Sequence, residues 1–259
     1  MGPKIISFDL GTGGNKATLY DTAGNCLASA FVPYPTLYPE VGRHEQRPAD
    51  WWAAVVESSR QLMESSGLSQ NDVHCLGISG HSLGAVPLDE GGTVLRESTP
   101  IWSDLRAGAE AEKFFERVDR AAWYAMTGNG FPAALYTVFK IMWYRDHEPE
   151  MFGRVRTILG TKDYINYRLT GKIATDYSYA SGSGVYDLRG WKYADDLIQA
   201  SGVPRAMLPE IIPSSEVSGG ARVRVVGDNL EFDLTDEAIS KLLLKHLLPR
   251  YRGILEGTG

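Results

Sequence analysis

A short run rich in β-forming residues, positions 4–10, ends abruptly at Gly11, Gly13 and Gly14. Apolar and polar residues alternate again over 16–21, break at Ala23-Gly24-Asn25, and resume over 26–32. Period-two segments bounded by turn residues predict a three-strand meander. Residues 33–48, with their prolines, read as a long loop. Asp50 is placed to cap a helix over 51–65 whose stripe is Trp52, Val55, Val56, Ser59 and Leu62. A buried strand follows over 73–79, then the turn Gly80-His81-Ser82-Leu83-Gly84, a strand over 85–88 and a tight turn at 90–92. Helices are predicted over 107–118, 139–146 and 162–169, the last ended by Thr170-Gly171, and another begins near Tyr193. There is no internal repeat.

Strands first, then strands alternating with helices, predict an α/β domain on a mixed sheet flanked by helices. The opening meander is not the alternating β-α-β of a dinucleotide-binding domain. By analogy it suits an actin-like (RNase H-like) ATPase domain better.

With 259 residues, 43% hydrophobic and 22% charged, the chain can bury a full core. A net charge of −6 argues against a general nucleic-acid or anionic-membrane surface. The only cysteines, Cys26 and Cys75, form no close pair and no metal-like spacing, which fits a reducing cytosol. No leader pattern and no apolar run of spanning length stands out, so the expectation is a cytoplasmic protein without membrane insertion.

The first candidate chemistry is Asp9-Leu10-Gly11-Thr12-Gly13-Gly14-Asn15-Lys16. A strand delivers an acid to the sheet edge, and the glycines let the chain turn while exposing N–H groups that can cradle phosphate oxygens. Thr12 adds a hydroxyl, Lys16 a charge, and Asp9 is placed to hold Mg²⁺ through water. A plain glycine hairpin with a solvated acid explains the short motif about equally well. It is neither a Walker loop nor the strand-to-helix turn of a dinucleotide site. In the second turn, His81 and Ser82 project polar groups suited to a hydroxyl-rich ligand, although a hydrogen-bonded turn histidine is the simpler reading of His81. Asp104 and Arg106 point the same way if their segment is extended, either lining a pocket or pairing with each other. Asn129 and Tyr136 are further contact candidates around the rim 127–132. Met142, Trp143 and Tyr144 read as packing.

These motifs stand in an order that resembles the FGGY family of sugar kinases, such as xylulokinase. Phe8 to Lys16 resembles the family's opening loop. Glu45-Gln46-x-Pro48-x-x-Trp51-Trp52, Gly77-Ile78-Ser79-Gly80-His81-Ser82-Leu83-Gly84, Ile101-Trp102-Ser103-Asp104-x-Arg106, Thr127-Gly128 with Lys140-Ile141-Met142-Trp143, Gly160 to Gly171, and Thr175-Asp176-Tyr177-Ser178 follow. The likeness covers residues 4–219. It implies ATP and Mg²⁺ as cofactors, a sugar or polyol as substrate, phosphate contacts from Gly11, Thr12, Gly13 and Lys16, and a metal-holding Asp9. It also implies substrate contacts from His81, Ser82, Asp104, Arg106, Asn129 and Tyr136. His81 and Leu83 depart from the xylulokinase-like Gln-x-His pattern, which puts D-xylulose itself in question.

The resemblance places the family's catalytic aspartate in a "G-G-G-D" segment beyond Gly220, together with a second domain, and no such segment is found here. Asp233 lies in a strand-like context and is not assigned as the base. The chain therefore divides into 1–220, a sugar-binding domain, and 221–259, a hairpin followed by an amphipathic helix capped by Thr235. The helix stripe is Leu242, Leu243, Leu247, Leu248 and Tyr251. The expectation is a sugar-binding half, inactive alone, with a homodimer or a second domain as partner. Two alternatives stand beside it. One is a non-catalytic sugar-binding or regulatory module. The other is a fusion whose tail, similar to the end of the E subunit of V-type ATP synthases, docks an ATPase stalk.

Overall fold

The structure, a computed structural model, describes residues 2–130, 132–214, 221–225 and 230–234. The predicted meander forms β1 (Lys4–Gly11), β2 (Gly14–Asp21) and β3 (Cys26–Pro33). A short β4 (Glu45–Gln46) precedes helix α1 (Pro48–Ser66), and β5 (Val73–Gly80) returns to the sheet. The sheet order is β3-β2-β1-β5, with β1 antiparallel to β2 and parallel to β5. Register sets Asp9 opposite Lys16, Gly11 opposite Gly14, and Asp9 beside Ser79. The carboxyl ends of β1 and β5 therefore lie side by side, and that edge is where open α/β sheets place their ligands.

Helix α1 starts three residues earlier than its polar pattern predicts. Pro48 lies in its first turn, where the missing N–H costs nothing, and Arg47 makes no side-chain cap. Asp50 lies in the first turn instead, favourable at the positive end of the helix. The buried face is also rotated. Trp51, Ala54, Val55, Ser58, Ser59 and Leu62 turn inward, while Trp52 and Val56 are only half-buried. Asn15, buried at the foot of β2, explains part of this, because its side-chain amide donates to Ser58 Oγ at 2.8 Å.

The sheet and α1 enclose one core, built on Ile6, Phe8, Leu10, Leu19, Trp51 and Leu62. A second core lies between helices. Its main walls are α2 (Gly108–Phe115), α3 (Arg120–Thr127) and α4 (Thr137–His147), the last buried over seven consecutive residues from Val138 to Tyr144. Short strands join the two: β6 (Val86–Leu88) pairs with β8 (Thr157–Leu159), and β7 (Thr99–Pro100) pairs with β4. After the short α5 (Pro149–Phe152), α6 (Thr161–Thr170) ends in the left-handed Gly171. Then β9 (Ala174–Asp176) leads into α7 (Tyr177–Ser181). Neither α3 nor α7 is among the predicted helices; each is short.

Beyond these, β10 (Tyr186–Asp187) pairs with β11 (Lys192–Tyr193), α8 (Asp195–Ser201) follows, and β12 (Glu210–Ile212) runs parallel to β9. Finally, β13 (Ala221–Val225) and β14 (Leu230–Leu234) form an antiparallel pair. The helix expected to start at Thr235 lies outside the described residues. No helix among the described residues is long and apolar enough to cross a membrane.

At the β1–β2 hairpin, a Cβ on Gly14 would stand 2.7 Å from the Val32 carbonyl oxygen and 2.8 Å from the Pro33 Cα. Both neighbours are backbone, so the clash cannot be relieved by a rotamer change. Gly14→Ala is expected to destabilise the domain by about 1–3 kcal/mol. Chemical denaturation reads the loss, and an unchanged midpoint would mean that β3 shifts freely.

Candidate active site

Asp9, Thr12, Gly13 and Lys16 are all exposed at the tip of the β1–β2 hairpin. Among the described residues no ion pair engages Asp9 or Lys16, and no hydrogen bond takes the N–H groups of Thr12 or Gly13. The carbonyls point the other way and are held. Gly11 O accepts from the Tyr34 hydroxyl at 2.6 Å, and Thr12 O accepts from Gln46 Nε2 at 2.7 Å. Above the loop, Trp102 Nε1 donates to Thr12 Oγ1 at 2.9 Å. Pinned carbonyls with free N–H groups are what an anion-binding loop requires.

The second turn begins where β5 ends. His81 N–H donates to Leu10 O at 3.0 Å, and the Tyr179 hydroxyl donates to Gly80 O at 2.7 Å. Gln46 joins the two turns. Trp51 Nε1, which can only donate, reaches Gln46 Oε1 at 2.9 Å, and Gln46 Nε2 reaches the Thr12 carbonyl, which can only accept. Those partners force the amide orientation, so His81 Nε2, 3.1 Å from Gln46 Oε1, must carry a proton. His81 Nδ1 then accepts from Thr161 Oγ1 at 3.2 Å. Burial, with the nearby Lys140 charge, lowers the His81 pKa to about 4, in keeping with this neutral tautomer. Both ring nitrogens are thus occupied by protein. His81 supports the turn, and the half-buried Ser82 hydroxyl makes no hydrogen bond among the described residues. Leu83 takes a left-handed conformation, φ 62°, where side chains are uncommon.

Asp104 and Arg106 come together as a buried pair. The segment is a turn rather than an extended run, closed by Asp104 N–H to Ile101 O at 3.1 Å. Asp104 is fully buried, accepting from His44 N–H at 2.7 Å and from Arg106 Nε and Nη2 at 2.9 and 2.8 Å. Arg106 also meets Glu45 Oε1 at 2.6 Å and lies over the Trp143 ring. Glu45 is shared with Arg96 and Ser98. Together these groups form a buried network that holds the Trp102 turn against β4.

Asn129 and Tyr136 lie farther round the rim. Asn129 Nδ2 donates to Ser181 O at 2.9 Å, and the Tyr136 hydroxyl accepts from Gly130 N–H at 2.8 Å. Gly182, just beyond Ser181, packs so closely on Leu83 that a Cβ there would lie 2.7 Å from Leu83 Cδ2. The rim and the Ser82 turn are therefore neighbours. Asn129 Oδ1 is buried with no hydrogen-bond partner among the described residues.

Behind the turn is a small cavity of about 30 Å³, lined in part by Leu83, Gly84, Asp163, Thr175 and Tyr179. Burial raises the Asp163 pKa to about 6, against the opposing pull of Lys162 and of the Thr175 hydroxyl, which donates at 2.7 Å. Lys162 is itself paired with Asp176.

Motif reading missed the parts played by Gln46, Thr161 and Tyr179, each of which lay inside or beside a quoted motif. Their signal was present as residue type, but the partners are 35, 80 and 98 positions away from His81.

His81 and Asp163 act on stability with opposite signs. The folded His81 pKa lies below its ordinary 6.5, so its contribution is present above that pH and is lost as pH falls toward about 4. The folded Asp163 pKa lies above its ordinary 3.8, so its contribution is present in acid and is lost as pH rises through about 6. The two partly cancel in the parent protein. His81→Gln keeps a donor and an acceptor but removes the first effect. Its stability relative to the parent is expected to rise by up to roughly 3 kcal/mol as the solution is acidified across that window. Urea denaturation at stepped pH measures the difference; curves that stay parallel would remove the assignment of a neutral, buried imidazole.

Residues 4–228 match the model of the FGGY family of carbohydrate kinases, N-terminal domain. A xylulose kinase of Streptomyces rubiginosus is 32% identical over 222 residues, 85% of this chain and 45% of that protein. A glycerol kinase of Thermococcus onnurineus (strain NA1) is 28% identical, over 86% of this chain and 47% of that protein. Among solved structures, the xylulose kinase of Rhodospirillum rubrum superposes with a TM-score of 0.77 at 28% identity, over 89% of this chain and 48% of that one. The actin-like arrangement expected from the opening meander is therefore the fold, and the chain spans less than half the length of these relatives. The chain belongs to the FGGY family of carbohydrate kinases and carries the family's N-terminal domain.

Proposed function

We propose that this chain supplies the sugar-binding half and the first phosphate loop of an ATP-dependent kinase for a sugar or polyol. The supporting observation is the meeting of two loops at the ends of adjacent parallel strands. Among the described residues, one offers free N–H groups and an unpaired acid, the other a free hydroxyl, and one buried amide bridges them. In this reading Gly11, Thr12, Gly13 and Lys16 receive phosphate oxygens, and Asp9 holds Mg²⁺ through water. The donors fit: an exposed carboxylate with no ion pair among the described residues suits a hard cation. When bound, the metal supplies positive charge against the phosphates.

Ser82 contacts the substrate, with Asn129 and Tyr136 on the rim, while His81, Asp104 and Arg106 position the surrounding loops. Trp102 offers an apolar face beside them. In the complete reaction the substrate hydroxyl oxygen bonds to the γ-phosphorus of ATP, the bond to ADP breaks, and the hydroxyl proton passes to a carboxylate base. We assign no base within this chain and propose that it does not turn over alone. The enclosing work of excluding water falls to a second domain. A cytoplasmic location suits a kinase drawing on ATP.

A thermal-shift panel of D-xylulose, glycerol, D-gluconate and D-glucose, repeated with Mg·ATP, tests the reading. At least one sugar or polyol is expected to raise the melting temperature, while a coupled ATPase assay stays at background. Robust sugar-dependent turnover by the 259-residue chain would overturn the half-site assignment. No stabilisation by any compound, with or without nucleotide, would remove the sugar-binding one.

A further inference from the structure

We propose that Lys140 is a positioning residue for this site, its side-chain amine locking three separate site-bearing segments into one frame. The inference rests on the sugar-site reading for its purpose, but its geometry stands by itself. Lys140 is fully buried in α4, between Phe139 and Ile141. Among the described residues it makes no salt bridge. Its Nζ instead donates to three backbone carbonyls: Leu83 O at 2.7 Å, Ile101 O at 2.8 Å and Leu135 O at 2.7 Å.

Two of those carbonyls adjoin a residue of the site directly, and the third lies one residue beyond Ser82. Leu83 follows Ser82 and leads into the turn at Gly84. The Ile101 carbonyl belongs to the peptide joining it to Trp102, and the Leu135 carbonyl to the peptide joining it to Tyr136. Fixing a carbonyl fixes its peptide plane, and with it the direction in which the next residue leaves. A buried cation without a counter-ion is costly, and an apolar side chain would fill the same space without that cost. What only an ammonium provides is three N–H bonds for three acceptors converging from different parts of the chain.

The neutral amine has two hydrogens, so deprotonation leaves one carbonyl short of a partner. Burial draws the pKa down to about 7, while Asp104 favours the charged form and Arg106 opposes it. His81, whose own pKa the Lys140 charge lowers, is neutral at that pH and does not compete for the proton. Lys140 thus loses its third bond as the solution passes from mildly acid to mildly alkaline.

The test is hydrogen exchange of the full chain near pH 6 and near pH 8.5, corrected for intrinsic rates. Sugar-induced stabilisation by D-xylulose and glycerol is measured in parallel. In the parent, residues 81–84, 101–106 and 132–137 should exchange about threefold faster at the higher pH, over and above any change shared by β1, β2 and α1. Lys140→Met should exchange faster in those segments at both pH values, with no pH dependence left beyond any shared by β1 and α1, and should bind sugar about tenfold more weakly. A parent with no pH effect in the three segments overturns the proposal, and that result needs no variant to fold. Faster exchange spread evenly through β1 and α1 of Lys140→Met overturns it too, since that is general loss of stability. If the three segments respond as expected but no sugar stabilises the parent, the frame stands and the sugar-site reading falls.

Discussion

The arrangement of the site depends on one side-chain amide. Gln46 is fully buried, and every hydrogen-bonding group it carries is matched by a partner of opposite type. Its nitrogen serves the Thr12 carbonyl and the Thr36 hydroxyl; its oxygen receives Trp51 and His81. A donor-only indole on one side and an acceptor-only carbonyl on the other leave the amide a single orientation. The glycine loop and the Ser82 turn are contributed by strand ends some seventy positions apart, yet they cannot shift relative to each other without breaking this node. Satisfied buried networks of this type specify a unique geometry, because any other arrangement leaves an unpaired polar atom in a low-dielectric interior.

The elements set by local periodicity were legible in the sequence. Alternation and glycine breaks placed β1, β2 and β3, and the Thr170-Gly171 pair correctly ended α6 in a left-handed cap. The start of α1 was misread because an Asp at position 50 looks like a cap, whereas Pro48 begins the helix without one. The rotated face of α1 had a different cause. Its contact with Asn15 is a tertiary hydrogen bond, and no window along the helix contains that information. Likewise, the Asp104–Arg106 spacing suggested a shared direction only for an extended chain. The turn that buries them is stabilised by Glu45, which lies about sixty residues away in sequence.

The buried charges have a common pattern. Glu45, Arg96, Arg106 and Asp104 form one cluster beside Trp143 and Tyr144, and Lys162 with Asp176 forms another near Tyr179. The first brings together Glu45 in β4 with Arg96 and Arg106 on either side of β7, and the second joins α6 to β9. Ion pairs of this sort contribute little net stability compared with apolar packing, but removing one partner is costly. Their value here is directional. Charged groups with set partners fix which segments meet there.

The indole of Trp102 donates to the Thr12 hydroxyl, which is therefore committed as an acceptor and keeps its own proton to give. The aromatic face and the loop are joined by a polarised chain running from nitrogen through oxygen toward solvent. Anything negative that accepts the threonine proton strengthens the indole's bond in turn, since successive hydrogen bonds reinforce one another. An anion at the hairpin and an apolar ring face against Trp102 would then register with each other electronically, without any displacement of the backbone between them.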